Sequence, residues 1–519
     1  DFVQEDKEGF QAGAMKYDVV LIPDCMTLRR STLERLKEFE GRGGKVIFAG
    51  RVPEYVDAMP EREVAKLAER CQRIRYSRQA VLEALEPYRI LDIRDVTGRR
   101  STNFLYQMRE EGEERWLFAA HCEKPENPDL AEAEILRFAV PGNYGLEKYD
   151  ALTGTKKSCP VIYEKGKTIW KEISYEQDAF LYRLYPVCGQ ITEERVEAGK
   201  KSEIGQKNLS QLKLPGLMPV TLHEPNVLLL DRAEYAFDED GWNQEEDILR
   251  IDNRFREKLG MPLRTEALAQ PWVDAGKREQ EGHVLHLRFY VEALRKADGV
   301  LLALEQPEHT KVSWNGEPVE AKILGWYVDE AVKTIRLGEV KAGLNILELQ
   351  ISFDGKIPVE NVYLLGDFGV ILRGKTAYIT EPVRELAFGD ICGQGLPFYG
   401  GNITYHVAFG MVSSVDELEI QISMFRAPLI RAKIDGADLG RIVFSPYSVK
   451  TGQLEAGEHL LELTVYGNRV NTFGPVHNCN QKETWIGPDA WRSTGTSWSY
   501  EYQLKPSGIL ISPSLKIRS

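Results

Sequence analysis

The chain has 519 residues, 43% of them apolar and 28% charged, with 79 acidic against 66 basic side chains and a formal net charge of -13. One hydrophobic core does not serve a chain this long, so about three to five domains are expected. The acidic balance argues against nucleic acid and anionic membrane as partners, because clustered Lys and Arg hold both, and leaves neutral ligands such as carbohydrate open.

The chain opens with "DFVQEDKEGFQAG", which has no initiator Met, no basic n-region and no apolar h-region; it reads as a piece of a longer polypeptide, with a trimmed signal peptide as the alternative. "YDVVLIPD", Tyr17 to Asp24, is a compact apolar run without clean alternation, the pattern of a strand buried on both faces. Thr32 to Glu40 follows as a helix with Leu33, Leu36 and Phe39 on one stripe, closed by "GRGG", and "KVIFAG" supplies a second parallel strand. Further helices are expected from about Glu61 to Cys71 and within "SRQAVLEALEPY". Two parallel strands describe a small or partial α/β domain.

From about residue 100 the period changes to two. In "NFLYQMREEGEERWLFAAH", Phe104, Tyr106 and Met108 share one face and Trp116, Phe118 and Ala120 another, joined by a charged glycine turn, which predicts an antiparallel hairpin. "AEILRFAV", "GKTIWKEI" and "FLYRLYPV" add strands, so the block near 95–190 reads as a β-sandwich, and the charged "ITEERVEAGKKSEIGQ" after it reads as a linker. The strand "NVLLLDRAEYAF" then precedes a helix for which Asn243 is the expected N-cap and Glu246 its N3 partner. Ile248, Ile251, Phe255 and Leu259 form its apolar stripe and Gly260 its C-cap. The last 250 or so residues contain a faint duplication. "VSWNGEPV" resembles "AKIDGADL", and "KAGLNILELQIS" resembles "EAGEHLLELTVY", with Leu347, Leu349 and Ile351 matching Leu461, Leu463 and Val465 as inward residues.

Seven cysteines at 25, 71, 122, 159, 188, 392 and 479 form no CxxC pair. This favours a reducing compartment such as the bacterial cytoplasm without excluding secretion. No run of about 18 apolar residues is present to span a membrane as a helix. HExxH is absent, and His283 and His286, three apart on a strand, fall on opposite faces. Cys25 follows a strand but lacks the flanking glycines of a nucleophile elbow, and "GRGGK" follows a helix and not a strand, as a C-cap does and a phosphate loop does not. No cofactor is implied. A structural calcium held by loop carbonyls and scattered acids leaves little linear trace and stays open.

Hydrolysis of a glycosidic bond needs two carboxyl groups. Glu224 in "TLHEPN" and Asp231 in "LLLDR" flank one strand and are the weak candidates, set against the plain reading of ordinary surface acids. Sugar rings stack on aromatic faces, which singles out Trp326 and Tyr327 in "LGWYVDE", Tyr399 beside Gly400-Gly401, and the close set Trp485, Trp491 and Trp498. Closing the rim of a sandwich also needs bulky residues, so packing is the alternative for each. In "LTVYGNRVNTFGP" a strand runs into Asn468, Arg469, Asn471 and Thr472, a loop suited to docking against a neighbouring domain, to contacting sugar hydroxyls, or to turning in solvent.

"PFYGGNITY", "NRVNTFGPVHN", "ENVYLLGDFGV" and "HEPNVLLLDRAEYAFD" together resemble the C-terminal half of large bacterial glycoside hydrolases of the α-L-rhamnosidase-like type, relatives of the family 106 enzymes, over most of residues 15–519. The resemblance implies a multidomain, mainly β fold: a small flavodoxin- or amidotransferase-like α/β domain without its nucleophile, then β-sandwiches that include galactose-binding-like jelly rolls. The boundaries expected are 1–92 for the partial α/β domain, 93–200 for a β-sandwich, 201–268 for a β region with an inserted helix that 360–385 continues, 269–380 for a jelly-roll-like domain and 381–519 for a C-terminal jelly roll. It further implies a TIM barrel in the parent polypeptide that carries the catalytic carboxylates, since a barrel takes about 250 residues of alternating strands and helices. Asn468, Asn471 and His477 then belong near an interface or the rim of a substrate cleft. On this reading the chain carries no catalytic residue of its own and partners the barrel and neutral carbohydrate. The alternatives are glycosidase domains that use Glu224 or Asp231, and a free-standing carbohydrate-binding protein.

Overall fold

A computed structural model describes residues 9–13, 15–187, 211–212, 214–264, 282–353, 359–480 and 488–518. The chain is mainly β, with several sheets, and separates into two units: Asp1–Glu123 with Ala133–Gly199, and Lys124–Glu132 with Lys200–Ser519. The charged linker expected at 191–206, Cys188 and Trp485 lie outside the described residues.

In the first unit three parallel strands, Val19–Ile22, Lys45–Ala49 and Gln72–Ile74, lie side by side. The helix Arg30–Gly41 buries Leu33, Leu36 and Phe39, and Glu63–Arg70 buries Val64, Leu67 and Ala68. These residues share one core with Ile22, Val46 and Phe48. Gly44 cannot carry a side chain, because a Cβ there would sit 2.4 Å from the Phe39 ring. A second core in this unit lies between a five-stranded and a four-stranded antiparallel sheet and is built on Phe138, Trp170, Phe180 and Tyr182. The expected hairpin forms as Phe104–Glu111 against Glu114–His121. Tyr106 lies opposite Ala119 and Met108 opposite Leu117, so Leu117 and Ala119 face inward, and Phe118 is exposed.

The second unit holds two larger cores, each between two sheets. The first lies between a five-stranded sheet (Asn226–Leu230, Val362–Gly366, Ala297–Glu305, Asp329–Val340, Ile323–Tyr327) and a larger one built around Arg232–Phe237, His283–Ala293, Gly343–Phe353 and Thr310–Trp314. Strands from residues 226–247 therefore pair with strands from 283–293 and 362–366. The second core lies between a six-stranded sheet centred on Ile403–Met411 and Gly457–Val465 and a four-stranded sheet that includes Ser514–Arg518. Met218–Leu222 joins the six-stranded sheet.

The helix near 250 begins later than its capping signal suggested. Asn243–Asp247 is a strand paired with Arg232–Phe237, and the helix is Ile248–Lys258, capped by the Asp247 carboxylate, which accepts from Arg250 N. Asn and Asp cap equally well; the strand pairing decides between them. Ile248, Ile251 and Phe255 are buried, and Gly260 has φ +66°.

Both halves of the duplicated pattern build the same local frame. Thr310–Trp314 turns through Asn315 and Gly316 into Glu317–Val319, and Ile430–Ile434 turns through Asp435 and Gly436 into Ala437–Ile442. All four turn residues have positive φ, which Asn-Gly and Asp-Gly accommodate. Asn315 accepts from Ile346 N at 2.9 Å and Asp435 from Leu460 N at 2.9 Å, each tying its turn to the adjoining strand. Leu347 and Leu349 are buried in one copy, Leu461 and Leu463 in the other.

Candidate functional site

The strand Asn226–Leu230 is buried along its whole length. Glu224 and Asp231 flank it, and an extended chain rises about 3.3 Å per residue, so the two acids stand roughly 20 Å apart. Glycosidases hold their two carboxyls about 5–10 Å apart. Glu224 and Asp231 therefore cannot form one acid–base pair, and each anchors a separate cluster.

Around Glu224 the glycines make the site. A Cβ on Gly467 would lie 2.2 Å from the carbonyl oxygens of Gly400 and Gly401, and one on Gly400 would lie 2.7 Å from the Asn468 carbonyl. The backbone of the loop after Gly457–Val465 thereby packs directly on the Gly400-Gly401 pair, and Asn402 Oδ1 accepts from Gly467 N at 3.0 Å. Arg469 reaches across to Glu224, Nη2 lying 2.6 and 2.8 Å from the two carboxylate oxygens. Tyr399 donates its hydroxyl to Asn402 O at 2.9 Å and accepts from the backbone N–H groups of His223 and Glu224. Burial pushes its phenol up to about 12. Tyr327 is buried against Tyr363 and Phe473, and burial pushes it up to about 12 as well, against the opposing pull of Arg469. Trp326, its neighbour, is 55% exposed.

The same loop runs on to Asp231. Asn468 accepts from Val470 N, which closes a local turn. Asn471 donates to Lys505 O at 2.7 Å and accepts from Lys505 N at 2.9 Å, and Thr472 donates to Phe398 O at 2.7 Å. Asn471, Thr472 and His477 are all buried. Val465 belongs to one core, while Val476, with Phe473 packed beside it, belongs to the other, so the loop stitches the two cores of the second unit together.

His477 Nε2 lies 2.9 Å from Asp231 Oδ2, and Tyr502 donates to Asp231 Oδ1 at 3.1 Å. Burial pulls the imidazole of His477 down, but its hydrogen bond to Asp231 and that residue's charge outweigh it, and the net shift is upward. Asp247 is pushed up to about 6, first by burial and then by the charge of Asp231. Trp498 packs on the His477 ring at 5.2 Å and carries the Arg250 guanidinium 3.8 Å from its ring centre. Trp491 donates its indole N–H to Phe473 O at 3.0 Å. The internal cavity lined by Asp231, Asp247, Asn361, His477 and Trp498 has a volume of about 20 Å³. That is room for a water and not for a sugar ring.

Among the described residues no group of three or more His, Cys, Asp or Glu side chains is placed to hold a metal ion, and no helix is long and apolar enough to cross a membrane. The six described cysteines are unpaired. Cys25, behind the first parallel strand, has its thiol pushed up by burial and by the charge of Asp24, the opposite of what a nucleophile needs. His283 and His286 project to opposite faces of their strand: His283 meets the ring of the buried Phe255, whereas His286 meets the partly exposed Trp242.

No protein-family model and no curated protein matches the sequence. Among solved structures the chain is similar to a rhamnosidase from Novosphingobium sp. PP1Y, at 12% identity and a TM-score of 0.39, over 95% of this chain and 33% of that one. It is also similar to Streptomyces avermitilis α-L-rhamnosidase complexed with L-rhamnose, at 13% identity and a TM-score of 0.21, over 76% of this chain and 32% of that one. An exo-carrageenase from Bacteroides ovatus matches at 11% identity and a TM-score of 0.23, over 34% of this chain and 23% of that one. The chain thus spans about a third of the length of the two rhamnosidases.

Sequence reasoning reached Glu224, Asp231, Asn471 and His477 but not their partners Tyr502 and Lys505, nor the capping role of Asp247. Asp231 and Tyr502 are 271 residues apart, and no local pattern links them.

Proposed function

We propose that this chain is a non-catalytic accessory region of a glycoside hydrolase that acts on polysaccharide or oligosaccharide, an α-L-rhamnosidase-like enzyme in particular. Its domains are a small flavodoxin- or amidotransferase-like domain, a β-sandwich and galactose-binding-like jelly rolls, and they support a barrel elsewhere in the parent polypeptide that carries the catalytic acids. The observation that carries this reading is the fate of the two nominated carboxylates: Glu224 is held by Arg469 and Asp231 by His477 and Tyr502, at opposite ends of one buried strand. Both serve as ties between the two cores of the second unit, and the two do not pair with each other. The order of the sequence motifs quoted above supports the same assignment.

The test is turnover by the purified chain. Incubation with 4-nitrophenyl α-L-rhamnopyranoside and a panel of other aryl glycosides is expected to release no nitrophenolate, while Glu224→Gln and Asp231→Asn lower the unfolding midpoint. Hydrolysis by the chain that disappears in either variant with its stability unchanged would overturn the reading.

A further inference from the structure

The outer face of the sheet formed by Arg232–Phe237, His283–Ala293, Gly343–Phe353 and Thr310–Trp314 carries two adjacent rows of polar side chains with opposite fates. In one row Arg288 donates to Glu348 at 2.8 Å and lies 3.6 Å from Glu234, Ser313 donates to Glu348, and Tyr290 donates to Glu234. That row is closed on itself. In the next row the strand register sets His286 opposite Gln350 and Gln350 opposite Lys311. Among the described residues no hydrogen bond or ion pair engages any of these three side chains. An imidazole, an amide and an ammonium thus stand shoulder to shoulder across three strands with their polar capacity unused.

Trp242 stands over this row. The Arg288 guanidinium lies 3.9 Å from its ring centre and fixes the indole by a cation–π contact, and the His286 ring meets it edge-on, yet Trp242 remains 44% exposed. Trp242, His286 and Gln350 line two adjoining clefts of about 540 and 270 Å³, one reaching toward Asp238 and Gly282, the other toward Lys311 and Pro318. The clefts form a trough that passes the indole on both sides, within the size range of small-molecule sites, roughly 300–1,000 Å³.

We propose that this trough binds one pyranosyl unit of an oligosaccharide, stacked on the open part of Trp242 and hydrogen-bonded by Gln350, His286 and Lys311. A pyranose has an apolar C–H face, which matches an indole, and a rim of hydroxyls that both donate and accept. The amide and the imidazole also do both, and the ammonium adds a donor. A phosphate or an acidic peptide is disfavoured, since Asp238, Glu239 and Asp240 line one end of the trough. The proposal rests on the carbohydrate-associated reading above and assigns it a surface remote in sequence from the 466–480 loop.

The test is retention on an array of neutral oligosaccharides from plant and bacterial polysaccharides, with the intact chain beside Trp242→Ala, Gln350→Ala and Trp326→Ala. The intact chain and Trp326→Ala are expected to bind the same glycans, with apparent affinity at least tenfold lower in Trp242→Ala and several-fold lower in Gln350→Ala, all four giving the same circular dichroism. Binding that survives Trp242→Ala but is lost in Trp326→Ala overturns this site and leaves the carbohydrate reading standing. No retention of any glycan by the intact chain overturns the site, while the turnover assay decides the accessory assignment separately.

Discussion

The two copies of the strand–Asx-Gly–strand frame in the second unit are alike inside and unlike outside. Aligning Val312 with Ala432 and Leu349 with Leu463 sets Lys311, Gln350 and His286 of the first copy against Arg431, Thr464 and Thr404 of the second. In the first copy no described residue hydrogen-bonds or ion-pairs with that outer row. In the second it is sealed: Arg431 is held by Asp438, the Thr404 and Thr464 hydroxyls lie 2.8 Å apart, and His223 Nε2 lies 2.8 Å from Thr404. The flanking rows match more closely, with Arg288 beside Glu348 in one copy and His406 beside Glu462 in the other. Inward leucines and an Asx-Gly turn suffice to build the frame, and the outer row is left free either to close on itself or to meet a ligand.

The largest effect is expected where the loop that follows the second copy ties into the first. Asp231→Ala removes the partner of a buried imidazole and strands the Tyr502 hydroxyl, and should cost about 3–5 kcal/mol in urea denaturation. A loss under about 1 kcal/mol would mean that the loop does not join the two cores energetically.

Next comes a pH effect. Asp247 has a folded value of about 6 against an ordinary 3.8, so the folded state holds this proton more tightly than the unfolded state does. Stability is therefore lost as pH rises from about 4 through 6, by about 3 kcal/mol for a shift of roughly two units. His477, shifted upward, acts with the same sign: its contribution is present below its ordinary 6.5 and is lost as pH rises through its folded value. Asp247→Asn keeps a capping side chain and removes one of these dependences. Its stability relative to the parent protein should increase between pH 4 and pH 7 in thermal melts, and a difference independent of pH would contradict the assignment. A smaller, symmetrical effect is expected at the turns. Asn315→Ala and Asp435→Ala each force an alanine into positive φ and remove two side-chain hydrogen bonds to the adjoining strand, with Ile346 and Asn345 in one copy and Leu460 and His459 in the other, for about 2 kcal/mol apiece.

The parts legible in the sequence are those fixed by near neighbours. The Leu33, Leu36 and Phe39 stripe, the hairpin from Phe104 to His121 and the Asn-Gly and Asp-Gly turns all follow from periodicity and turn chemistry within a few residues. Gln72–Ile74 escaped because two of its three residues are polar and exposed, and only its parallel pairing with Lys45–Ala49 makes it a strand. The helix cap moved from Asn243 to Asp247 for the same kind of reason, a pairing with Arg232–Phe237 that capping preferences do not encode. Glu224 stood out as an acid, but its partner Arg469 is 245 residues away, so its structural role had no local trace. Trp242 belongs to no motif. It gains meaning only when three strands from separate stretches of the chain place His286, Gln350 and Lys311 in one row.

The contrast between the sealed and the open row is tested most directly by equilibrium urea denaturation of Thr404→Val beside Gln350→Ala. Thr404→Val removes the hydroxyl that His223 and Thr464 share in a buried setting and should lose about 1–2 kcal/mol. Gln350→Ala removes a side chain with which no described residue forms a hydrogen bond and should stay within about 0.5 kcal/mol of the parent protein. Equal losses from the two substitutions, or a larger one from Gln350→Ala, would contradict the account.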